Sequence, residues 1–422
     1  MENKKIIKNA LKEIGFRDTC FLAFQHVFAM SGATILVPLI TGLNIQVTLF
    51  CAGVATLWFH FVTKNKVPIF LGSSFAFLAA FASIAQDQNG NIIYSELPYC
   101  TGGIICAGFV YLILAICIKI FGARKVLKLF PPVVTGPIII LIGLILAPSA
   151  LNNIISSGDS KRILIGVISI IIVIICNIYG KGMIKIMPIL FSVLISYFLA
   201  ILFGIVDFSN VFKTNFIEIP HFMFPKFRAD AITTFVVVSI AAVIEHVGDI
   251  AAVSATCDEN FIDDPGLVRT LIGDGIGTAI AGFLGGPANT TYSENTGVLA
   301  ITKVHDPFVI RLAAFFAIIL SLFPIVEQII RTIPSEIIGG ISFVLYGMIS
   351  AIGLRNLIEN KVDFTNSKNL FVAAIIFVSG LAFEQNPLSI SIFGLNIVFK
   401  GLACAAIFGI VLNLLLIEKK QN

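Results

Sequence analysis

FVVVSIAAVIEHVGDIAAV, residues 235–253, is an apolar stretch that nevertheless carries Glu245, His246 and Asp249. Its length suits a helix that crosses a bilayer, which takes about 20 apolar residues. A carboxylate at the bilayer centre costs about 2.5 to 3.5 kcal/mol on insertion scales, so it is retained where it faces a cavity, a partner or an ion path. Glu245 and Asp249 are four residues apart and share one helix face, close enough to share a proton. The stretch therefore predicts a membrane helix with an ion-coupled transport site.

The composition of the chain indicates a membrane protein throughout. Of its 422 residues 57% are hydrophobic and 12% are charged, and the mean hydropathy is +0.99. Soluble domains carry about 25% charged residues. The net charge of +4 comes from scattered Lys and Arg without a basic stripe, so no nucleic-acid partner is predicted. The eight Cys residues form no CxxC pair and no metal-ligand spacing, so we expect neither a metal site nor a cofactor.

Apolar segments of spanning length occur along the whole chain. They lie near 20–39, 43–62, 99–120, 130–148, 162–179, 185–206, 231–254, 266–285, 306–325, 334–353, 369–383 and 392–416. Two further segments, 68–84 and 285–302, are interrupted by Gly, Pro and polar residues. Together they predict an all-α polytopic membrane protein of about 14 transmembrane segments, since a span takes about 20 residues.

The Lys and Arg residues between these segments fall mainly on one side of the predicted membrane. The positive-inside rule makes that side cytoplasmic and places both termini there. The longest connection, near 207–230, is then external and is expected to be an ordered interfacial loop. We therefore predict a multi-pass protein of the cytoplasmic membrane, with the lipid bilayer as its surroundings.

Short sequence echoes indicate an internal repeat. Gln-His-Val at 25–27 returns as Glu-His-Val at 245–247, an offset of 220 residues. PPVVTGPI (131–138) resembles PSEIIGGI (334–341), each with Pro and Gly five residues apart. These echoes predict two halves of seven segments, and an odd number of segments in each half gives an inverted repeat.

The two halves are residues 1–206 and 207–422, and the interrupted segments are numbers 3 and 10 of the series. Paired interrupted segments mark the binding site in transporters built from repeats. Non-helical backbone at membrane depth must be buried in protein or line a cavity. We therefore expect short extended stretches in these two segments, beside the ligand.

Three polar clusters would converge in that arrangement: residues 245–249, 289–295 and 72–75. Two carboxylates can accept N–H donors from a planar ligand, and free backbone amides near Phe75 and Tyr292 can donate to its carbonyl oxygens. Phe75 can stack on its face. This chemistry predicts a small, polar, planar ligand, for which a pyrimidine or purine base is one candidate among several.

Six motifs resemble the nucleobase–ascorbate transporter family, also called nucleobase–cation symporter 2. They are QHVFAMSGATILVP (25–38), KVPIFLGSSFAF (66–77), EHVGD (245–249), DPGLVRT (264–270), NTTYSENTGVLAITKV (289–304) and GGISFVLYGMISAIGLRNLIENKVD (339–363). The resemblance covers nearly the whole chain and is strongest to the bacterial uracil permeases of the family. It implies 14 segments in two inverted repeats. Segments 1–4 and 8–11 form a core domain, and segments 5–7 and 12–14 form a gate domain. It also implies elevator-like movement of the core domain against the gate domain, and a homodimer formed through the gate domain.

The resemblance also assigns roles to individual residues. Carried across position by position, the substrate-binding residues are Glu245 and Glu294 as base-binding carboxylates, Phe75 packed on the base, Tyr292 and Ser293 through their backbone, and Tyr346 facing the site from the gate domain. Asp249 stands where these uracil permeases usually carry a proton-coupling His, and His26 matches a histidine linked to the site through water. His246 and His26 are each either packing histidines or parts of the coupling machinery.

The substrate and the coupling ion remain alternatives at this point. Asp249 and Asp274 are typical of purine transporters and of the sodium-coupled branch, whereas Glu294-Asn295 is typical of uracil permeases. We therefore predict a secondary active transporter that imports uracil by proton symport, and not an enzyme. The alternative is a purine (xanthine or urate) transporter or a sodium-coupled nucleobase transporter. An anion exchanger is disfavoured, because the paired carboxylates Glu245 and Glu294 would repel its substrate.

Overall fold

A computed structural model describes residues 6–416 apart from 88–89, 128–129, 210 and 393–394. The helices of the first part are α1 (Ala10–Glu13), α2 (Gly15–Thr41), α3 (Ile45–Val62), α4 (Leu78–Ala85), α5 (Leu97–Phe121), α6 (Ala123–Leu127), α7 (Pro132–Ile155), α8 (Ser160–Tyr179), α9 (Met183–Ile186) and α10 (Pro188–Leu202). Those of the second part are α11 (Ala229–Cys257), α12 (Leu267–Leu284), α13 (Ser293–Thr302), α14 (Pro307–Ser321), α15 (Pro324–Arg331), α16 (Ser335–Glu359), α17 (Ser367–Gln385) and α18 (Gly401–Leu415). The strands are β1 (Leu71–Ser73), β2 (Asn289–Thr291), β3 (Leu388–Ile392) and β4 (Leu395–Phe399).

Most of these helices suit a lipid bilayer. Within the described ranges, nine are long and apolar enough to cross a membrane, and α14 followed by α15 is a further candidate with a bend of 79°. Large aliphatic and aromatic side chains lie exposed along their outer surfaces, such as Ile171 and Ile175 on α8. In water such a surface would be unstable, whereas lipid tails are as apolar as these side chains. The chain is a multi-pass membrane protein, as its composition predicted.

Two helix pairs pack with their backbones in close contact. A methyl group added at Gly108 of α5 would lie 2.5 Å from the carbonyl oxygen of Gly275 in α12. One added at Gly143 of α7 would lie 2.1 Å from the carbonyl oxygen of Tyr346 in α16. Membrane helices associate through such small residues, because lipid supplies no hydrophobic force to bring helices together. These contacts make α5–α12 and α7–α16 two tightly packed units of the fold.

The two interrupted segments cross each other as a short antiparallel pair of strands. Leu71 pairs with Thr291, Gly72 with Thr290 and Ser73 with Asn289, and all six residues are buried. The threonine hydroxyl of Thr56 accepts from the amide of Leu71 at 2.9 Å. Non-helical backbone at this depth needs such internal partners because no water is available. The expected extended stretches in both segments are therefore present, and the paired residues Leu71 and Thr291 are 220 positions apart.

The prediction of one spanning helix over 392–416 was wrong. Strands β3 and β4 form an antiparallel hairpin over residues 388–399, and α18 begins only at Gly401. The reason lies in Leu388–Ile392, where apolar residues alternate with Ser in the period of two that favours a strand. The 15 residues of α18 span about 22 Å, which is less than the apolar thickness of a bilayer.

Candidate functional site

The site begins with Glu245, which lies in the middle of α11 and yet has an exposed side chain. Its neighbour His246 points the other way and is fully buried. One turn further along, Gly248 faces open space, since no described atom lies within 4 Å of the position that a methyl group would take. An exposed carboxylate halfway along a spanning helix must face an opening within the protein, because lipid would exclude it. The sequence predicted that such a carboxylate faces a cavity, a partner or an ion path, and the role of Glu245 stays a prediction.

Glu294 approaches the same opening from the second interrupted segment. It is half-buried in the first turn of α13 and lies within electrostatic reach of both Glu245 and Asp249. The N-cap residue Tyr292 makes no side-chain hydrogen bond to the first turn of α13, and the amide of Glu294 donates to its own carboxylate. Acceptors and donors thus stand side by side around Glu294.

Phe75 belongs to the first interrupted segment. It begins the short 3-10 turn Phe75–Phe77, which runs into α4 and contacts α11. Its side chain is half-buried, whereas Phe77 is fully buried. The turn also lacks a side-chain cap, so its first amides resemble those of α13. An accessible aromatic ring at this position can pack on the face of a planar ligand.

Asp249 connects α11 to the second interrupted segment through two hydrogen bonds. Its Oδ2 accepts from the Thr291 hydroxyl at 2.5 Å, and its Oδ1 accepts from the Ser293 hydroxyl at 2.8 Å. Hydrogen bonds to an ionised carboxylate are short and about twice as strong as neutral ones. These two hydrogen bonds hold together the point where β2 ends and α13 begins. Ser293 was predicted for its backbone and Thr291 was not predicted, and neither hydroxyl was expected to bind Asp249.

His246 and Asp274 form a pair behind Glu245. His246 Nδ1 lies 2.8 Å from Asp274 Oδ2, and both side chains are fully buried. Asp274 lies well inside α12. The ring of Tyr111 on α5 meets His246 edge-on at 6.4 Å. Among the described residues, Asp274 Oδ1, His246 Nε2 and the Tyr111 hydroxyl have no hydrogen-bond partner. Tyr111 was not predicted, because in sequence it is one tyrosine in a long apolar segment.

His26 holds α2 against α13 through Asn295. The side-chain amide nitrogen of Asn295, Nδ2, donates to the backbone carbonyl oxygen of His26 at 3.1 Å. It also lies 3.1 Å from His26 Nδ1. His26 is buried, and no described contact joins it directly to Glu245 or Glu294. It therefore positions the helix that carries Glu294.

The two predicted tyrosines are both deeply buried. The Tyr292 amide donates to the carbonyl oxygen of Phe70 at 3.0 Å, so this amide is not free for a ligand as expected. The Tyr292 hydroxyl donates to the Ser73 carbonyl oxygen at 3.0 Å, which fixes β1 against β2. Tyr346 lies between α16 and α7, with its hydroxyl beside Ser342 and Ser149. No described contact brings Tyr346 to the carboxylates.

Residues 17–388 match the family model Xan_ur_permease, described as the Permease family. The chain belongs to this permease family. The resemblance found in the sequence motifs is thereby confirmed over nearly the whole chain.

Several relatives of this permease carry functional names. This chain is 37% identical to the "Probable uracil permease" of Pasteurella multocida (strain Pm70) over 406 residues. The matched region covers 95% of this chain and 94% of that relative. This chain is also 38% identical over 412 residues to the "Uracil permease" of Bacillus caldolyticus, covering 95% and 92% of the two chains.

A solved structure shares the fold of this permease. The transmembrane domain of the cyanobacterial bicarbonate transporter BicA matches 97% of this chain and 100% of its own, with a TM-score of 0.64 and 15% sequence identity. At that identity the likeness concerns the fold alone. It places the permease among helical membrane proteins whose chains fold in the same way.

Proposed function

We propose that this permease is a secondary active transporter that imports uracil by proton symport. The observation that carries the proposal is the pair Glu245 and Glu294, two acidic side chains from different elements that meet at an opening within membrane-spanning helices. Relatives at 37% and 38% identity are named uracil permeases, which supports the substrate.

Uracil fits the chemistry of this opening. It is a flat ring with two N–H donors and two carbonyl acceptors. Glu245 and Glu294 can each accept from an N–H group, and the uncapped first turn of α13 can donate to a carbonyl oxygen. The ring of Phe75 can cover one face of the base. A lone anion would find only repulsion from the two carboxylates.

The coupling ion is proposed to act at Asp249. A proton added there removes the charge that holds the Thr291 and Ser293 hydroxyls, and this would loosen the start of α13 beside Glu294. His246, Asp274 and His26 are supporting positions in this proposal. The second candidate is sodium coupling, favoured by the two hydroxyl oxygens that lie beside the Asp249 carboxylate, since hard cations prefer oxygen ligands. A purine as substrate belongs to the same alternative.

The first test is uptake of radiolabelled uracil into proteoliposomes, with a proton gradient and a sodium gradient imposed separately. We expect accumulation with the proton gradient alone. Accumulation that requires sodium would favour the alternative. If neither gradient drives uracil uptake and xanthine or urate is accumulated instead, the proposed substrate is wrong.

We further propose 14 segments arranged as two inverted repeats, residues 1–206 and 207–422. In this arrangement segments 1–4 and 8–11 make the core domain, and segments 5–7 and 12–14 make the gate domain. The pairing of Leu71 with Thr291, 220 residues apart, supports the repeat. The close packing of α7 with α16 supports a gate domain built from both halves. Exposed aliphatic side chains on α8 offer a surface for a homodimer. The protein would lie in the cytoplasmic membrane with both termini inside, because most Lys and Arg residues between the segments fall on that side.

A cysteine cross-link tests the elevator mechanism. A Cβ at Gly32 of α2 in the core domain would lie 3.4 Å from Cβ of Ile189 in α10 of the gate domain, which is close to the Cβ separation of a disulfide. We expect Gly32→Cys with Ile189→Cys to stop uracil transport on oxidation, to retain uracil binding, and to recover transport on reduction. The controls are the two variants that carry only one of these substitutions, treated with the same oxidant. Transport at the normal rate in the cross-linked protein would contradict movement of the core domain against the gate domain.

A further inference from the structure

An apolar groove lies at the side of the molecule, away from the carboxylates. It is formed by α2, α10 and α16 together with the end of α15 and the chain that follows it. Its volume is about 170 Å³, and its walls are almost entirely aliphatic, including Ile35, Leu190, Val193 and Ile337. Gly32 of α2 also lines it.

The groove opens laterally, onto the outer surface of the helices. Leu194 and Ile329 line it and are 53% and 40% exposed. Both residues belong to the apolar outer surface that a multi-pass protein presents to lipid.

Polar groups mark one end of the groove. The hydroxyls of Tyr197 and Thr332 are hydrogen-bonded to each other there, and Arg331 next to them forms an ion pair with Glu327 at 2.7 Å. Arg and Tyr side chains occupy the boundary between headgroups and hydrocarbon in membranes. The groove therefore begins at this boundary and continues into the hydrocarbon layer.

We propose that this groove is a binding site for one acyl chain of a membrane phospholipid. Apolar cavities of about 150 Å³ lined by Leu and Ile stay free of water and take apolar ligands. An unfilled groove would lose dispersion contacts along every wall. The polar end suits the headgroup, and the sideways opening admits the chain directly from the bilayer.

The site has a consequence for movement that rests on the proposed function. Helix α2 belongs to the proposed core domain, whereas α10 and α16 belong to the proposed gate domain. An acyl chain lodged between them would have to shift whenever the two domains slide past each other. Lipid composition would then influence the transport rate. Phospholipid binding is measured without transport, so the result does not depend on the proposed function.

Tryptophan fluorescence gives a direct test, because Trp58 is the only tryptophan in the sequence. In a Trp58→Phe background, Val193→Trp reports from the groove and Ile178→Trp reports from the outer surface of α8, where Ile178 is 63% exposed. Delipidated protein in detergent is titrated with phosphatidylcholine brominated on its acyl chains. We expect the Val193→Trp protein to lose most of its fluorescence at stoichiometric lipid, and the Ile178→Trp protein to respond only at large excess. Parallel titration curves, or no quenching of the Val193→Trp protein, would overturn the proposal.

A second measurement does not depend on a new tryptophan. Native mass spectrometry of the unmodified protein counts the phospholipids retained after delipidation, and Gly32→Phe fills the groove. We expect the unmodified protein to retain one phospholipid that the Gly32→Phe protein lacks. Equal lipid retention by the two proteins would overturn the proposal, and so would detergent as the only ligand in the groove. A loss of oligomers in the Gly32→Phe protein would also overturn it, because that result would identify a second copy of the chain as the occupant.

Discussion

Glu294→Gln is expected to abolish uracil uptake or to shift the preference of the transporter toward purines. The substitution keeps the shape of the side chain but replaces a charged acceptor by an amide that also donates. A hydrogen bond to a charged group contributes about 1.5 to 3 kcal/mol, so uracil should bind about 10- to 100-fold more weakly. The measurement is inhibition of radiolabelled uracil uptake by unlabelled uracil, xanthine and urate in proteoliposomes, together with direct uracil binding.

Glu359→Gln is the matched control for this prediction. Glu359 is an exposed glutamate at the end of α16, so the same chemical change there should leave uptake and selectivity unaltered. If Glu294→Gln leaves both the affinity for uracil and the order of inhibitors unchanged, Glu294 does not select the substrate. Loss of transport with intact binding would instead assign Glu294 a role in the movement of the site.

The helices and the interrupted segments were predictable from sequence because their signals are local. Residues 231–254 were predicted as a span, and α11 runs from Ala229 to Cys257. The interruptions at 68–84 and 285–302 predicted the extended stretches that form β1 and β2, because Gly, Pro and polar residues do not continue an apolar helix. The hairpin at 388–399 was missed because overall hydrophobicity was given more weight than the period of two within it.

The partners of the site residues were less predictable because they come from distant parts of the chain. Asp249 was identified by its four-residue spacing from Glu245, but its hydroxyl partners lie 42 and 44 residues away. His246 was left between a packing role and a coupling role, and only the fold reveals Asp274 beside it. Tyr111 carries no local pattern at all. Sequence thus identified the acidic residues of the site, while their hydrogen-bond partners required the tertiary structure.

The presence of polar partners around the carboxylates bears on how coupling could work. Asp249 is bound by two hydroxyls, whereas Glu245 one turn away faces the opening. The two carboxylates of α11 therefore differ in surroundings despite sharing a helix face. This difference favours a division of roles in which Glu245 meets the substrate and Asp249 responds to the coupling ion.

Asp249→Asn is expected to uncouple transport from the ion gradient while leaving exchange of uracil across the membrane. The asparagine cannot lose or gain a proton, and its amide nitrogen cannot accept from a hydroxyl as the carboxylate oxygen does. The start of α13 would then hold one arrangement regardless of pH. The measurement compares concentrative uptake, driven by a proton gradient, with exchange of labelled for unlabelled uracil in the same proteoliposomes.

Thr291→Val separates the charge of Asp249 from its hydrogen bonds. This variant loses the hydroxyl that donates to Asp249 Oδ2 but keeps the carboxylate. The loss of one hydrogen bond of about 1 kcal/mol should slow transport about five-fold and leave it coupled to the gradient. If the Asp249→Asn protein still accumulates uracil in response to the proton gradient, coupling belongs to another group. The buried pair His246 and Asp274 would then be the next to test, since His246 Nε2 and Asp274 Oδ1 have no hydrogen-bond partner among the described residues.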